Sequence, residues 1–144
     1  MNAFNILVLC ALFVAVKCSC TNEFDAIEEE CAKSFGLNPT NAFYFFTRGY
    51  STRDISKVHN FVSCTWRKWK FQDPSGNIDY NTIKEDKKIL WKFARFCEGL
   101  VSDIQMYQNA FVSATLECQK TSTPLTAEGA RLCITENYQK YITE

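Results

Sequence analysis

The sequence has little glycine, proline and histidine, and it carries no net charge. Its 144 residues include 5 Gly, 3 Pro and one His, a composition that does not fit a collagen-like or low-complexity disordered chain. Lys and Arg together number 16, as do Asp and Glu, so the formal net charge at pH 7 is zero. We therefore expect one folded domain, with no global electrostatic attraction to nucleic acid or acidic lipid.

The sequence also lacks the common motifs of catalysis and metal binding. It contains no C-x-x-C pair, no nucleophile elbow and no phosphate-binding loop. Residues 73–79 hint at a calcium loop, but Gly76 stands at its fourth position and Lys84 stands at the twelfth, where a bidentate Glu is needed. We interpret this segment as a turn, and we expect no enzyme activity, no metal and no cofactor.

No apolar run in the sequence is long enough to cross a membrane. The run at residues 4–16 has 13 residues, whereas a membrane-spanning helix needs about 20. Such a run is typical of a secretory signal peptide, and the small residues at 18–20 follow it as cleavage sites. We expect residues 1–20 to be removed, after Cys18 or Cys20, and residues 21–144 to form a secreted, extracellular domain without membrane insertion. The alternative is a buried N-terminal helix, which the polar residues 21–23 disfavour.

Aromatic residues and cysteines are abundant. There are 12 Phe, 6 Tyr, 3 Trp and 8 Cys, and so many cysteines in a short chain are typical of an oxidising compartment, where disulfides persist. Cys20 belongs to the mature chain only if cleavage falls after Cys18. The cysteines downstream of it are Cys31, Cys64, Cys97, Cys118 and Cys133.

Apolar residues recur at steps of three and four along most of the chain, which is the helical period. Alternation of the strand type is absent, so we predict an all-α fold of six or seven short helices. Gly36, the turn at residues 73–77 and Ser102-Asp103 are expected to interrupt them. The predicted helical segments are residues 24–35, 42–48, a helix capped by Ser51-Thr52 with apolar positions from 55 to 69, a region from 79 or 81 to 101, 104–118 and 127–141.

Three segments contain or adjoin cysteines: residues 29–37 contain Cys31, residues 64–79 begin with Cys64, and residues 109–118 end at Cys118. These segments resemble the cysteine-containing segments of insect odorant-binding proteins, the pheromone and general odorant carriers. Asn60 and Asn109 stand where that family has its second and fifth cysteines, which bond to each other. The joint absence of these two cysteines resembles the branch of the family with fewer cysteines.

The resemblance implies an all-α fold whose helices surround an apolar cavity and are joined by the disulfides Cys31–Cys64 and Cys97–Cys118. A third bond, Cys20–Cys133, is expected if Cys20 survives cleavage; otherwise Cys133 is free or pairs between chains. The resemblance covers residues 24–120 and leaves residues 124–144 as an unexplained C-terminal extension.

The resemblance further implies a carrier of a small hydrophobic ligand, without catalysis. One hydroxyl, from Tyr107, Tyr138 or Tyr141, is expected to anchor the ligand. From the residues alone, each apolar candidate could equally belong to a solid core. The candidate ligand contacts are Phe46, Val62, Leu90, Phe93, Ile104, Tyr107 and Phe111.

Two other functions stay open at this point. One is that of the salivary scavengers of the same superfamily, which sequester host amines or lipids; an amine would need an acid such as Asp103 or Glu117 in the pocket. The other is a disulfide-linked inhibitor or toxin that acts on a protein. A membrane receptor is a further candidate partner. The chain is expected to be a monomer or a weak homodimer. His59 is either a partly buried helix residue or a pH sensor for ligand release.

Overall fold

Five helices make up most of the chain that the computed structural model describes, namely residues 24–39, 55–86, 89 and 102–143. These residues contain no strand, only an isolated bridge between Gln72 and Ile78. The all-α prediction is confirmed, and the five described helices are fewer than the six or seven predicted. The helices are α1 (Ala26–Ser34), α2 (Ile55–Lys68), α3 (Tyr80–Glu85), α4 (Ile104–Gln119) and α5 (Ala127–Thr143).

Several predicted features lie outside the described residues. They include the signal peptide, the helix at residues 42–48 and most of the region from 87 to 101. Five of the candidate disulfide and ligand residues also lie outside the described residues: Cys20, Phe46, Leu90, Phe93 and Cys97.

Helix α1 begins and ends at local signals in the sequence. The Asp25 carboxylate accepts a hydrogen bond from the backbone N–H of Glu28, whose own carboxylate accepts one from the N–H of Asp25. This reciprocal capping satisfies two N–H groups that have no partner inside the helix. The helix stops before Gly36, whose φ of 65° is readily adopted only by glycine. The predicted helix over residues 24–35 is therefore confirmed, one or two residues shorter at each end.

Helix α2 buries one stripe of its surface. Val58, Val62 and Trp66 recur every four residues and are all buried, which places them on one face of the helix. Helix α1 packs against α2. Just before α1, the ring of Phe24 stacks on that of Phe61 of α2, with centroids 5.2 Å apart. We call α1 and α2 the N-terminal pair.

The segment after α2 is a turn, as predicted. The Asp73 carboxylate accepts hydrogen bonds from the backbone N–H and the side-chain amide of Asn77, at 2.9 and 2.8 Å. Hydrogen bonding from Asn77 lowers the pKa of Asp73. Asp79 then caps α3 by accepting hydrogen bonds from the N–H groups of Asn81 and Thr82. Of the two predicted starts of this helical region, 79 and 81, the first is confirmed.

Helices α4 and α5 fold back on each other, and we call them the C-terminal hairpin. Asp103 caps α4 by accepting from the N–H of Met106, and the short connection at residues 120–126 returns the chain along the same helix. The hairpin has the most extensive packing between described helices, and α5 also contacts α2 while α4 contacts α3. Residues 124–144, which had appeared as an extension, thus supply much of the core through α5.

Two disulfides are present in the described residues. One confirms a predicted pair, and the other corrects the predicted partners of Cys118 and Cys133. Cys31 and Cys64 are bonded, with Cα atoms 5.9 Å apart, which confirms the first predicted pair. Cys118 is bonded to Cys133, with Cα atoms 6.0 Å apart. The predicted pairs Cys97–Cys118 and Cys20–Cys133 are therefore wrong, and Cys133 is neither free nor paired between chains. The physical reason is the short connection, which packs α5 directly on α4 and brings these two sulfurs together.

The two bonds are consistent with an oxidising, extracellular environment. None of the helices that the structure describes has both the length and the apolar composition needed to span a bilayer.

Candidate functional site

The inner face of α5 is almost entirely apolar. Ala127, Ala130, Ile134 and Tyr138 recur at steps of three and four, and all are buried in the core. Such spacing places them on the same side of the helix. Tyr138 closes this stripe at its C-terminal end and is the only residue in it that carries a polar side-chain atom.

The hydroxyl of Tyr138 is buried without a hydrogen-bond partner among the described residues. The residue is 2% exposed, so solvent does not reach it. Other buried hydroxyls of the core are satisfied locally: Thr65 donates to the carbonyl of Val62 at 2.9 Å, and Thr115 donates to the carbonyl of Phe111 at 2.8 Å. The unpaired state of Tyr138 is therefore an exception in this interior, where buried polar groups are normally paired.

A second phenol, that of Tyr107 on α4, lies close to Tyr138. Burial raises the pKa of the Tyr138 hydroxyl, and the nearby Tyr107 raises it further. Both effects disfavour the phenolate, so Tyr138 keeps its proton and can donate a hydrogen bond. Of the three tyrosines predicted as ligand anchors, Tyr138 is in the core and Tyr107 packs against the core, whereas Tyr141 is 43% exposed.

The Cys118–Cys133 disulfide fixes the position of Tyr138 relative to α4. Asn137, the residue before Tyr138, donates from its Nδ2 to the carbonyl of Cys133 at 3.0 Å and lies 3.4 Å from the sulfur of Cys118. The cross-link and this amide hold α5 in one register against α4. That register places the Tyr138 phenol beside Tyr107.

Gln72 supplies the other buried side-chain atom without a partner in the described residues. Its Oε1 is unpaired, while its Nε2 donates to the carbonyl of Gly76 at 3.2 Å. The side chain is thus half-satisfied inside the turn that follows α2. Because its partner lies in the same turn, we assign it to that turn rather than to the hairpin.

A buried ion pair lies on α5, and the sequence interpretation missed it. Nε and Nη2 of Arg131 donate to the two carboxylate oxygens of Glu128, each at 3.0 Å. The side chains are 16% and 5% exposed, respectively. Burial raises the pKa of Glu128 to about 8 and lowers that of Arg131 to about 10. The only signal in the sequence is the three-residue spacing of opposite charges, which is equally typical of an exposed helix surface.

The described ligand candidates all belong to the core or pack against it. Val62 and Phe111 are buried, while Ile104 and Tyr107 are half-buried and contact the same cluster. Val62 comes from α2 and the other three come from α4. Membership of this cluster is expected of core residues, so their role as ligand contacts stays a prediction.

The residues proposed for an amine site or a pH sensor do not join this cluster. Asp103 is exposed and caps α4, and Glu117 is exposed and pairs with Lys120 at 3.0 Å. His59 is exposed on α2, so the expectation of a partly buried histidine is wrong. Within the described ranges, no three His, Cys, Asp or Glu side chains are grouped so as to hold a metal ion.

Comparison of the chain with protein-family models, curated proteins and solved structures finds no match.

Proposed function

We propose that the chain is a secreted, non-catalytic carrier that holds one small hydrophobic molecule against α2, α4 and α5. The ligand lies among the apolar side chains of the core, with its polar end at the hydroxyl of Tyr138. Sites of this kind are lined mostly by apolar and aromatic side chains, with few polar groups that fix the orientation of the ligand.

The observation that carries the proposal is the buried hydroxyl of Tyr138, which has no partner in the described residues. Leaving such a group unpaired costs about 1–3 kcal/mol of stability. A phenylalanine would fill almost the same volume without that cost. A bound molecule with a hydrogen-bond acceptor removes the cost, which explains why a tyrosine stands at this position.

Packing of the surrounding residues supports the same proposal. Ile104 and Tyr107 are half-buried at the start of α4, next to the fully buried Phe111. Apolar side chains that are already screened from water would give a ligand about 25 cal/mol for each Å² of apolar surface that it buries. The two disulfides hold the helices around this region.

The two other functions have less support from the described residues. An amine scavenger would need a buried carboxylate at the site, but Asp103 and Glu117 are exposed. A lipid scavenger would use the same apolar contacts as the proposed carrier, and the tissue of expression distinguishes the two. A protein inhibitor or toxin would bind no apolar probe.

The test is a titration of the secreted, oxidised protein with Nile red, whose fluorescence rises in apolar surroundings. We expect saturable binding with one site per chain. Ile104→Ala should weaken the binding about fivefold, because it removes apolar contact area. Leu116→Ala, on the exposed side of the same helix, is the matched control and should leave the affinity unchanged.

The proposal is wrong if the folded protein shows no saturable binding of Nile red, or if Ile104→Ala and Leu116→Ala weaken that binding equally. In the first case an inhibitor or toxin becomes the better interpretation. In the second case Nile red binds the surface rather than the interior.

A further inference from the structure

We propose, on the basis of the carrier function above, that the buried phenol of Tyr138 determines specificity by selecting a ligand with an uncharged oxygen acceptor. The chemical class comprises ketones, esters and ethers with an apolar chain. The Tyr138 hydroxyl donates to the ligand oxygen.

The first step of the argument is the direction of the hydrogen bond. Tyr138 is buried and retains its proton, since both burial and the neighbouring Tyr107 disfavour the phenolate. A protonated phenol whose oxygen has no partner in the described residues offers its O–H to an acceptor. A ligand oxygen with a lone pair matches this donor, whereas an alkane does not.

The second step excludes a cationic ligand. A buried ammonium group needs a carboxylate nearby, because an uncompensated buried charge is strongly unfavourable. Two carboxylates are buried in the described residues: Glu28 and Glu128. Glu28 accepts from the N–H of Asp25 at the start of α1, and Glu128 accepts from two nitrogens of Arg131. Neither is available to neutralise a ligand cation beside Tyr138.

The third step excludes an anionic ligand. A buried carboxylate needs a cation or several donors to replace its water shell. Arg131 already directs Nε and Nη2 at Glu128, so taking it for a ligand would leave Glu128 buried without its partner. The single donor of Tyr138 is too little for a full negative charge, but one donor suffices for a neutral carbonyl or ether oxygen.

The experiment compares four probes of one chain length by displacement of Nile red: methyl nonyl ketone, undecane, undecylammonium and undecanoate. The wild-type protein is expected to bind the ketone about tenfold more tightly than the alkane, the effect of one hydrogen bond. The charged probes should bind more weakly than the ketone. In Tyr138→Phe the ratio of ketone to alkane affinity should fall about tenfold. Tyr141→Phe makes the same chemical change at an exposed position and should keep the wild-type ratio.

A second measurement detects the hydrogen bond directly. The infrared carbonyl band of the bound ketone should shift to lower frequency in the wild type, and this shift should disappear in Tyr138→Phe while persisting in Tyr141→Phe. A merely structural role for Tyr138 would lower the affinity for ketone and alkane alike and would leave the carbonyl band in place.

The outcomes separate the two proposals. Equal affinity for ketone and alkane in the wild type, an unchanged ratio in Tyr138→Phe, or tightest binding of undecylammonium or undecanoate overturns the role of Tyr138, while the carrier function stands. If none of the probes displaces Nile red because Nile red itself does not bind, the carrier function fails, and the assignment of Tyr138 fails with it.

Discussion

The N-terminal pair and the C-terminal hairpin are each two helices joined by one disulfide, yet they bury different polar groups. In the N-terminal pair, the buried Glu28 and Thr65 are satisfied within their own helices, by the cap at Asp25 and the carbonyl of Val62. The C-terminal hairpin buries an ion pair and a phenol that has no partner in the described residues. The polar groups of the first arrangement and the ion pair of the second are satisfied by partners in the same helix or its cap, whereas the phenol costs stability unless an acceptor pairs with it.

This difference is the basis of the proposed position of the ligand. The buried Glu28 and Thr65 of the N-terminal pair have hydrogen bonds that close within one helical turn, so their pairing does not require a ligand. The hairpin depends on the register between α4 and α5, which the Cys118–Cys133 bond fixes. We therefore expect perturbations of the hairpin to change ligand binding, and perturbations of the N-terminal pair to change mainly stability.

The largest expected effects come from removing the disulfides one at a time. The bonds close loops with sequence separations of 33 and 15 residues, so the chain-entropy model gives losses of about 4 and about 3 kcal/mol, respectively. We expect the double variant Cys31→Ser with Cys64→Ser to lose more unfolding free energy in urea than Cys118→Ser with Cys133→Ser. Nile red binding should nevertheless weaken more in the second. Equal effects on binding would contradict the proposed division between the two regions.

Glu128→Ala should destabilise the protein by about 3 kcal/mol, because it leaves the guanidinium of Arg131 in a buried site without its carboxylate. The matched control is Glu117→Ala on α4. It breaks the ion pair between Glu117 and Lys120, which has the same three-residue spacing. The side chains of Glu117 and Lys120 are 50% and 72% exposed, respectively. That change should cost less than about 0.5 kcal/mol. Urea unfolding of both variants measures the difference, and similar losses would show that the pair on α5 is no more costly to break than a solvated one.

Tyr138→Phe should raise the unfolding free energy of the ligand-free protein by about 1 kcal/mol, because it removes a buried hydroxyl that has no partner in the described residues. Tyr141→Phe, at an exposed position, should leave it unchanged. Thermal unfolding of ligand-free samples provides the measurement. A loss of stability in Tyr138→Phe would mean that the hydroxyl makes a favourable interaction in the free protein, and the contrast with the N-terminal pair would disappear.

The smallest effect is expected for Asp103→Asn. Asparagine caps a helix about as well as aspartate, so the hydrogen bond to the N–H of Met106 should survive and stability should change by less than about 0.5 kcal/mol. Undecylammonium binding should not change either, since Asp103 is exposed. A marked drop in ammonium affinity would favour the amine scavenger instead. Asp103→Ala, which removes the cap, should lose about 1 kcal/mol.

Many helix boundaries could be predicted because they depend on neighbouring residues. Asp25 and Asp103 accept hydrogen bonds from N–H groups three residues further on, and Gly36 adopts the positive φ that ends α1. The spacing of Val58, Val62 and Trp66 likewise predicted which face of α2 is buried. These interactions span three or four residues, so neighbouring positions in the sequence are enough to predict them.

Contacts between helices could be predicted less well from the sequence. The resemblance to odorant-binding proteins gave the correct partner for Cys31 but a wrong one for Cys118, because it did not extend to α5. Helical spacing placed Cys118 on the inner face of its helix without indicating which helix lies opposite. For the same reason Tyr138 could be named as one of three candidate hydroxyls but not selected.

The sequence by itself determined that this protein is helical, where several of its helices begin and end, and that its cysteines suit an oxidising environment. Only the tertiary structure decided that Cys118 pairs with Cys133, that Glu128 and Arg131 are buried together, and that the Tyr138 phenol is buried without a partner in the described residues. Caps and helical periods arise within one or two turns. Burial and pairing depend on which surfaces meet after the chain folds back on itself, and local sequence does not specify that meeting.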